Sequence, residues 1–413
     1  MSSWQARKLG AISEMCLGKM LDAEKNKGEF QPYLANINVR WGGFDFTNLN
    51  KMRFEKSEQD RYGLKYGDLV VCEGGEPGRC AIWKDQVPGM KIQKALHRVR
   101  VRGSYSNEFI YYRMLLAGRN GELGKHFIGS TIKHLTSIGL KQVEFSCPPF
   151  EEQKKIAAVL STLDAKIDCN NRINAELETM AKTLYNYWFV QFDFPDANGK
   201  PYKSSGGKML YNAALKREIP TEWKNSTVGE TFRTYLGGTP SRERKDYWTP
   251  EEVNWLSSGE NPGTFIVAPN ERISKIGLAN SPARLLPQGT VILSIVRHLR
   301  ASILGIEAAT NQSVVGVLET ERFKHCFIYP YVLSEIPRLM ALRTGAQQPH
   351  INKGVLDDLP LVLPDEATLK AYTNLATPMF LQMKSLHEQN QQLAQLRDWL
   401  LPLLMNGQIT FFR

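Results

Sequence analysis

Several features that would assign this 413-residue chain to a broad class are missing from its sequence. No apolar run approaches the ~20 residues that a helix needs to cross a bilayer. Residues 1–8 lack the apolar stretch of a secretory signal peptide, so we expect a cytoplasmic protein. The six cysteines have neither zinc-site spacing nor a disulfide framework, which predicts small buried thiols in a reducing compartment. The seven histidines form no metal-ligand cluster, so no metal site is predicted.

Sequence motifs for catalysis are weak. Residues 121–126 lack the spacing and the final Ser/Thr of a Walker A loop, and residues 73–78 lack G-x-G-x-x-G spacing. Residues 147–150 (Cys-Pro-Pro-Phe) approach an amino-methyltransferase motif, but cysteine is a poor hydrogen-bond acceptor and no S-adenosylmethionine loop is found. Residues 364–370 loosely match a nuclease motif, which helix capping explains better. A chain with its own DNA methyltransferase or nuclease activity therefore stays an alternative only.

Acidic residues are also fewer than basic ones. The chain has 52 lysines and arginines against 42 acidic residues, a formal net charge of +10. This excess of positive charge favours a polyanionic partner such as nucleic acid, although net charge is informative about association and not about fold. The alternative is a generally basic surface on a coiled-coil scaffold that binds no DNA. Salt-dependent binding would discriminate between the two.

The most informative feature present is an internal duplication. His134 and His350 lie 216 residues apart in similar segments, and near the start a shift of 219 relates Trp4 to Trp223. Each copy is long enough for a whole domain, which excludes a solenoid repeat. The 216-residue shift also relates Leu140 to Leu356, Pro148 to Pro364, Asn174 to Asn390 and Leu184 to Leu400, and the 219-residue shift relates Gln93 to Gln312.

Both copies have the same internal order. A turn-rich part with short apolar runs, such as strands at 69–72 and 290–296 and a helix at 108–117, predicts a mixed α/β domain. About forty residues of 4-3 apolar spacing follow and predict a long helix. The predicted segments are a first domain at 1–148, a helix at 149–192, a linker at 193–216, a second domain at 217–364, a helix at 365–407 and a tail at 408–413.

The two long helices are expected to pair antiparallel as a coiled coil, which turns the duplication into a pseudo-two-fold repeat. Asn174 and Asn390 fall on the apolar seam, where they either fix the register or face solvent. Pro378 lies inside the second helix and should kink or divide it. Residues 406–407 (Asn-Gly) suit the C-terminal cap of that helix.

With these elements in place, the chain resembles the specificity subunit of type I restriction-modification systems. The resemblance rests on motifs in a duplicated order: the Trp-x4-Leu/Val-Gly openings at residues 4 and 223, residues 32–34, 237–241 and 344–353, the Pro-x4-Gln-x2-Ile start at 148–156, and residues 400–409. It covers essentially the whole chain. The copies differ at 129–131 and 345–347, as expected if the two domains read different sequences.

The resemblance implies two target recognition domains on an antiparallel helical spacer, in a non-catalytic subunit. It also implies a complex with two methyltransferase subunits, which would carry S-adenosylmethionine, and nuclease subunits for restriction. We expect apolar residues near the helix ends, Trp188, Phe189, Leu403 and Leu404, to dock partners.

Residues able to contact double-stranded DNA follow from side-chain chemistry. Arginine reads guanine and Asn or Gln reads adenine, whereas Lys, Ser, Thr and backbone amides bind phosphates. The candidates of the first copy are Lys19, Tyr33, Asn36, Asn38, Arg40, Lys125, Lys133 and His134. Those of the second are Thr239, Ser241, Arg242, Arg244, Arg297, Arg300, Gln347, Gln348, His350 and Lys353.

Overall fold

A computed structural model describes residues 4–22, 26–259, 263–296, 298–343 and 350–409. The chain divides into two compact units. Unit 1 comprises Met1–Ala165 and Leu393–Arg413, and unit 2 comprises 166–392. The candidates Arg297, Gln347 and Gln348 lie outside the described residues.

Unit 1 combines small β-sheets with short helices. Its largest sheet has four antiparallel strands in the spatial order Ser13–Leu17, Leu96–Val101, Leu69–Cys72, Cys80–Ile82. A second sheet has the order Asn50–Phe54, Glu29–Leu34, Lys91–Ile92, and two further pairs join Gln5–Lys8 to Glu144–Cys147 and Val39–Arg40 to Gly43–Phe44. The helices are Leu9–Ile12, Gln59–Tyr62, Asn107–Arg119 and Ser137–Gln142, with 3-10 turns at Asn36–Asn38, Lys56–Glu58 and Glu122–His126.

Unit 2 repeats this plan. Its main sheet has five strands in the order Thr234–Leu236, Val314–Val317, Val291–Ser294, Arg300–Leu304, Phe265–Ile266. Beside it lie the three strands Glu271–Ile273, Val253–Leu256 and Ala309–Thr310, and the pairs Met209–Asn212 with Arg217–Pro220 and Lys224–Thr227 with Pro360–Leu363. The helices are Val228–Thr231, Lys275–Ala279, His325–Ala341 and Lys353–Asp357, with a 3-10 turn at Lys245–Tyr247.

The duplication is visible in strand register. In unit 1 Gln5 pairs with Cys147, and in unit 2 Lys224 pairs with Leu363. These are the positions related by the 219-residue and 216-residue shifts. The mixed α/β fold with an internal repeat is therefore confirmed.

The two long helices are Phe150–Tyr185, which continues as a π-helical turn at Asn186–Val190, and Glu366–Met405. They run antiparallel in both units. In unit 1 Arg397 donates a 2.7 Å hydrogen bond to the Asp164 carboxylate. In unit 2 the Asn170 amide donates to Asn390 at 2.9 Å. The predicted pair of long antiparallel helices is confirmed.

Both ends of the second long helix agree with their sequence signals. Asp365 caps the first turn by accepting hydrogen bonds of 2.8 and 2.6 Å from the backbone N–H and the hydroxyl of Thr368. The helix ends before Gly407, whose φ of +67° belongs to the left-handed region that favours glycine. Pro378 does not divide the helix, because the buried neighbours Ala376 and Phe380 hold its chain to the core of unit 2.

The prediction that the seam asparagines fix the helix register is supported at Asn390 but not at Asn174. Asn390 is bonded to Asn170 and donates to Asn171 at 2.8 Å, so it sits in a polar layer that suits one register. Asn174 is buried, not solvent-facing, and both of its side-chain polar atoms lack a partner within the described residues. The two equivalent asparagines therefore have different surroundings.

The segment predicted as a linker, 193–216, is part of unit 2 and packs into it. Phe194 is buried and stacks between Tyr202 and Trp223, with ring centroids 4.7 and 4.9 Å away. The Asp193 carboxylate accepts two hydrogen bonds of 2.7 Å from Ser204. The polar, glycine-rich composition of the segment predicts a flexible linker. A few aromatic side chains are nevertheless enough to hold the stretch against the rest of the unit.

Candidate nucleic-acid interface

Two of the predicted DNA contacts of unit 1 meet at the loop 73–78. The Nδ2 of Asn36 donates a hydrogen bond to the Gly74 carbonyl oxygen at 2.8 Å. The imidazole of His134 lies against Gly74, where an added Cβ would be 3.2 Å from ring atoms. Backbone hydrogen bonds of 2.9 Å in both directions join His134 to Ile128. The fold thus brings two separated candidates to one surface.

The turn 129–133, next to that loop, faces solvent. Gly129 has φ of +96°, and a Cβ there would lie 2.2 Å from the Ile132 carbonyl oxygen, so the turn needs glycine. Lys133 is exposed, and so is Lys125 on a nearby 3-10 turn. Both ammonium groups are therefore placed to meet a polyanion.

Arg40 is exposed and remains a candidate. Its guanidinium donates to the Asp45 carboxylate at 3.1 Å and to the backbone carbonyl of Ile37. The hydroxyl and backbone N–H of Thr47 also bind Asp45 and lower its pKa, with a smaller contribution from Arg40. Asp45 is thus charged and orients the arginine.

Three other predicted contacts of unit 1 are buried, and we withdraw them as DNA contacts. Lys19 is 3% exposed and its ammonium binds the Glu58 carboxylate. Tyr33 packs in the core with Met52. The Asn38 amide donates to the backbone carbonyl of Asp45 at 2.9 Å. Residue type in a turn-rich stretch predicted exposure, but packing by distant segments covers these side chains.

In unit 2 the loop 237–244 follows the strand Thr234–Leu236. A Cβ on Gly237 would lie 2.3 Å from the Asn311 carbonyl oxygen, and the neighbouring Gly238 is equally crowded. The paired glycines let the loop pass close to residues 310–312, where the Thr239 hydroxyl donates to the Gln312 side chain. Ser241 is exposed. The loop is therefore tied down at its base while its tip faces solvent.

Gln312 is a binding candidate that the predicted set omitted. Its side chain is exposed and bonded to Thr239. The next residue, Ser313, accepts a 2.9 Å backbone hydrogen bond from Ile295. The sequence could have indicated this residue, because the repeat relates Gln312 to Gln93. An exposed side-chain amide is suited to read adenine.

The segment after residue 294 brings further candidates to the same region of unit 2. Val296 pairs with His350 in an antiparallel bridge, and the Ile351 N–H donates to the Ile295 carbonyl at 3.1 Å. His350 and Arg300 are exposed. Hydrogen bonds therefore link Thr239, through Gln312 and the backbone of Ser313, to the segment that pairs with His350.

Lys353 has a structural partner. Its ammonium binds the Asp357 carboxylate, which also accepts a 2.6 Å hydrogen bond from the Thr234 hydroxyl. Lys353 is half-buried and links the short helix Lys353–Asp357 to the strand that leads into the loop 237–244. Its role in the fold of unit 2 is thereby explained.

The loop's two arginines are both paired with carboxylates. Arg242 binds Glu271 through two hydrogen bonds of 2.8 and 2.9 Å, and Arg244 binds Asp246 through two of 2.9 and 2.6 Å. The hydrogen bond from Arg244 lowers the pKa of Asp246, and that from Arg242 lowers the pKa of Glu271. Both carboxylates are therefore charged, and both arginines are oriented before any ligand arrives.

The residues predicted to dock partners are mostly buried, which corrects that prediction. Trp188 and Phe189 pack in the core of unit 2, where the Phe189 and Tyr372 ring centroids are 4.8 Å apart. Leu404 is buried in unit 1 and Leu403 is half-buried. Heptad-like spacing could not distinguish a free helix end from one packed under a domain.

Other apolar side chains on the long helices are exposed, and two of them form an equivalent pair. Met180 is 56% exposed and Leu396 is 43% exposed. The 216-residue shift makes them equivalent. Phe150, Leu375, Leu381 and Trp399 on these helices are exposed as well, but Met180 and Leu396 are exposed at positions that the repeat relates.

The methyltransferase-like segment 147–150 has a structural role. Cys147 is buried, and burial raises its pKa to about 11, so the thiol stays neutral. Gln153 donates to the Pro148 carbonyl at 2.8 Å and accepts from the Ser106 N–H at 3.0 Å, which joins the start of the long helix to the domain.

Within the described ranges, no group of three or more His, Cys, Asp or Glu is arranged to hold a metal ion. The described helices also include none long and apolar enough to span a membrane.

Comparison with known proteins agrees with this organisation. A family model described as the type I restriction modification DNA specificity domain matches residues 1–179 and 220–371. The type I restriction enzyme MjaIX specificity subunit of Methanocaldococcus jannaschii is 24% identical over 348 residues, covering 83% of this chain and 78% of that protein. The HindI specificity subunit of Haemophilus influenzae is 20% identical over 354 residues, covering 72% of this chain and 74% of that protein.

The fold is shared with a solved structure. The crystal structure of a type I restriction-modification S subunit from M. genitalium aligns with this chain at a TM-score of 0.56 and 14% sequence identity. The alignment covers 98% of this chain and 96% of that one. Its fold and the two family matches, which together span most of the chain, lead to the same assignment. The protein belongs to the DNA specificity subunits of type I restriction-modification systems, which recognise a DNA target.

Proposed function

We propose that the two domains read the two halves of a bipartite, asymmetric double-stranded DNA target. The observation that carries this proposal is the repeated fold with different polar residues at its tips. Thr239 and Ser241 on the loop 237–244 of unit 2 correspond by the 219-residue shift to Met20 and Asp22 of unit 1, and in sequence residues 129–131 (Gly-Ser-Thr) correspond to 345–347 (Gly-Ala-Gln). A similar scaffold with different hydrogen-bonding groups is suited to similar binding geometry and different base sequences.

The long helices act in this proposal as a ruler that sets the unspecified gap between the half-sites. Each helix contributes residues to both units, and no candidate base-reading side chain lies on either one. A helix rises about 1.5 Å per residue, so its length translates directly into distance. Half-site centres are expected about one DNA turn or slightly more apart.

The proposed protein partners are two methyltransferase subunits, with nuclease subunits added for restriction. Met180 and Leu396 are exposed apolar side chains at repeat-related positions, one in each unit, and such a pair is suited to bind two copies of one partner. The chain itself is proposed to be non-catalytic and to bind no cofactor. S-adenosylmethionine would bind to the methyltransferase subunits of a cytoplasmic complex.

Mapping of methylated sites tests this proposal. The chain is co-expressed with its methyltransferase partner in a host without other methylation, and modified sites are sequenced genome-wide. Two short, different half-sites separated by a constant number of unspecified base pairs are expected. A continuous or palindromic site would contradict the two-domain reading, and methyl transfer by the chain alone would contradict the non-catalytic role.

A further inference from the structure

The loop 237–244 holds its two arginines in geometries that leave different edges of the guanidinium free. Arg242 uses Nη1 and Nη2 to bind Glu271, so both terminal nitrogens already donate to a carboxylate. Its guanidinium carbon lies 3.6 Å from the centroid of the Trp248 ring. Arg242 is therefore held between a carboxylate and an indole, and its terminal edge ties the loop to the strand Glu271–Ile273.

Arg244 uses the opposite edge. Its Nε and Nη2 donate to Asp246, which leaves two hydrogens on Nη1 and one on Nη2 from the five donors of a guanidinium. Among the residues that the structure describes, none accepts a hydrogen bond from Nη1 of Arg244. The side chain is 58% exposed, so this terminal edge faces solvent.

The support behind Arg244 is rigid. The Ser274 hydroxyl donates to the Asp246 carbonyl at 2.5 Å, and the Ser274 N–H donates to the Tyr247 carbonyl at 2.9 Å. Ser274 itself is fully buried. The indole N–H of Trp248 donates to the Ser241 carbonyl at 3.0 Å, which fastens the other side of the turn. A guanidinium held in this way loses little rotational freedom when it binds a ligand.

We propose that Arg244 reads a guanine in the half-site bound by unit 2, with Asp246 as its positioning residue. In the major groove guanine presents O6 and N7 side by side, and the free Nη1 and Nη2 hydrogens match this pair of acceptors. The inference rests on the proposed two-domain function. It assigns base reading to one arginine of the loop and loop closure to the other.

The expected size of the effect follows from base recognition in general. A bidentate arginine–guanine pair discriminates against the wrong base by about 1–3 kcal/mol, which is roughly a 5- to 150-fold difference in affinity. An arginine bound only to phosphate would instead contribute equally to every sequence and would steepen the salt dependence of binding.

The test uses the complex of the full chain with its methyltransferase partner. Methylated sites are mapped for the wild type and for Arg244→Ala, and assembly is checked by co-purification. One G·C position in one half-site should lose its base preference by about 5- to 150-fold in competition binding. The other half-site and the gap should stay unchanged.

A change in the DNA separates base contact from phosphate contact. Replacing the guanine by 7-deazaguanine removes the N7 acceptor and leaves the phosphates intact. Wild-type binding should weaken at that position, whereas binding by Arg244→Ala should not respond. Asp246→Asn should reduce discrimination at the same base pair and no other, because it loosens the arginine without touching DNA.

Arg338→Ala serves as the matched control. Arg338 is also an exposed, ion-paired arginine of unit 2, bound to Glu335 on the helix His325–Ala341. It should leave every base preference unchanged. The inference is overturned if Arg244→Ala weakens all sequences equally, if it leaves the half-sites unaltered, or if the half-site of unit 2 has only A·T pairs. Failure of the proposed function would appear already in the wild type, as the absence of a bipartite site.

Discussion

Replacing Asn174 by leucine should raise the free energy of unfolding of unit 2. Asn174 is 8% exposed, and neither its Nδ2 nor its Oδ1 has a hydrogen-bond partner within the described residues. The antiparallel register that joins Asn170 to Asn390 brings Asn174 level with Leu386, one helical turn further along. A buried polar group without a partner costs about 1–3 kcal/mol, and leucine removes that group while keeping the same branched arrangement of heavy atoms.

The matched variant Asn390→Leu should have the opposite effect. Asn390 occupies the equivalent seam position of the second copy, but it accepts a 2.9 Å hydrogen bond from Asn170 and donates to Asn171. Asn170 is fully buried, so loss of Asn390 would leave its amide without its best partner. We expect a decrease of about 1–3 kcal/mol.

Thermal and urea unfolding of the full chain measure both changes. For a unit of this size, 1 kcal/mol corresponds to roughly 2–4 °C in Tm. Asn174→Leu should therefore melt a few degrees above the wild type and Asn390→Leu a few degrees below it. A lower Tm for Asn174→Leu, or the same sign for both variants, would refute the reasoning about the two seam positions.

Four further outcomes are expected. Inserting about four residues near one end of a long helix adds ~6 Å and should lengthen the mapped gap by one to two base pairs without altering the half-sites; altered half-sites with a fixed gap would refute the ruler. Trp188→Ala should destabilise the chain by about 3–5 kcal/mol in urea unfolding, whereas Met180→Asp and Leu396→Asp should weaken methyltransferase co-purification at unchanged Tm. Burial raises the pKa of Glu335, so its ionisation opposes folding. Glu335→Gln should raise Tm at pH 8, and the gain should shrink as the pH falls through that raised pKa; a gain independent of pH would contradict this.

Features that depend on short stretches of chain were predictable from the sequence. The duplication relates residues by direct comparison, and the shifts of 216 and 219 residues are reproduced in the strand register. The long helices follow from apolar spacing, and the ends of the second helix follow from Asp365 and Gly407. Local backbone energetics and side-chain periodicity suffice for such features, because the interacting residues are close in sequence.

Exposure of individual side chains was not predictable in the same way. The sequence predicts that Lys19 contacts DNA, but in the structure its ammonium binds Glu58, which is 39 residues away. The sequence also predicts that Trp188 docks a partner, but in the structure the Tyr372 ring packs against it. Asn174 and Asn390 are equivalent in sequence but not in structure, because their neighbours across the helix pair differ. Whether a group is buried, paired or free depends on contacts between distant segments.

The sequence by itself determined the two-copy architecture and favoured a polyanionic ligand, because repeats, helix periodicity and net charge are properties of the chain, and its duplicated motifs carry the resemblance to the family. Tertiary structure alone decided which candidates stay available to DNA. It buried three of them in unit 1, gathered Asn36 and His134 at one loop, and left a terminal guanidinium edge of Arg244 facing solvent. The physical reason is that burial and hydrogen bonding are set by which surfaces meet in space, and a single chain position does not record its partners.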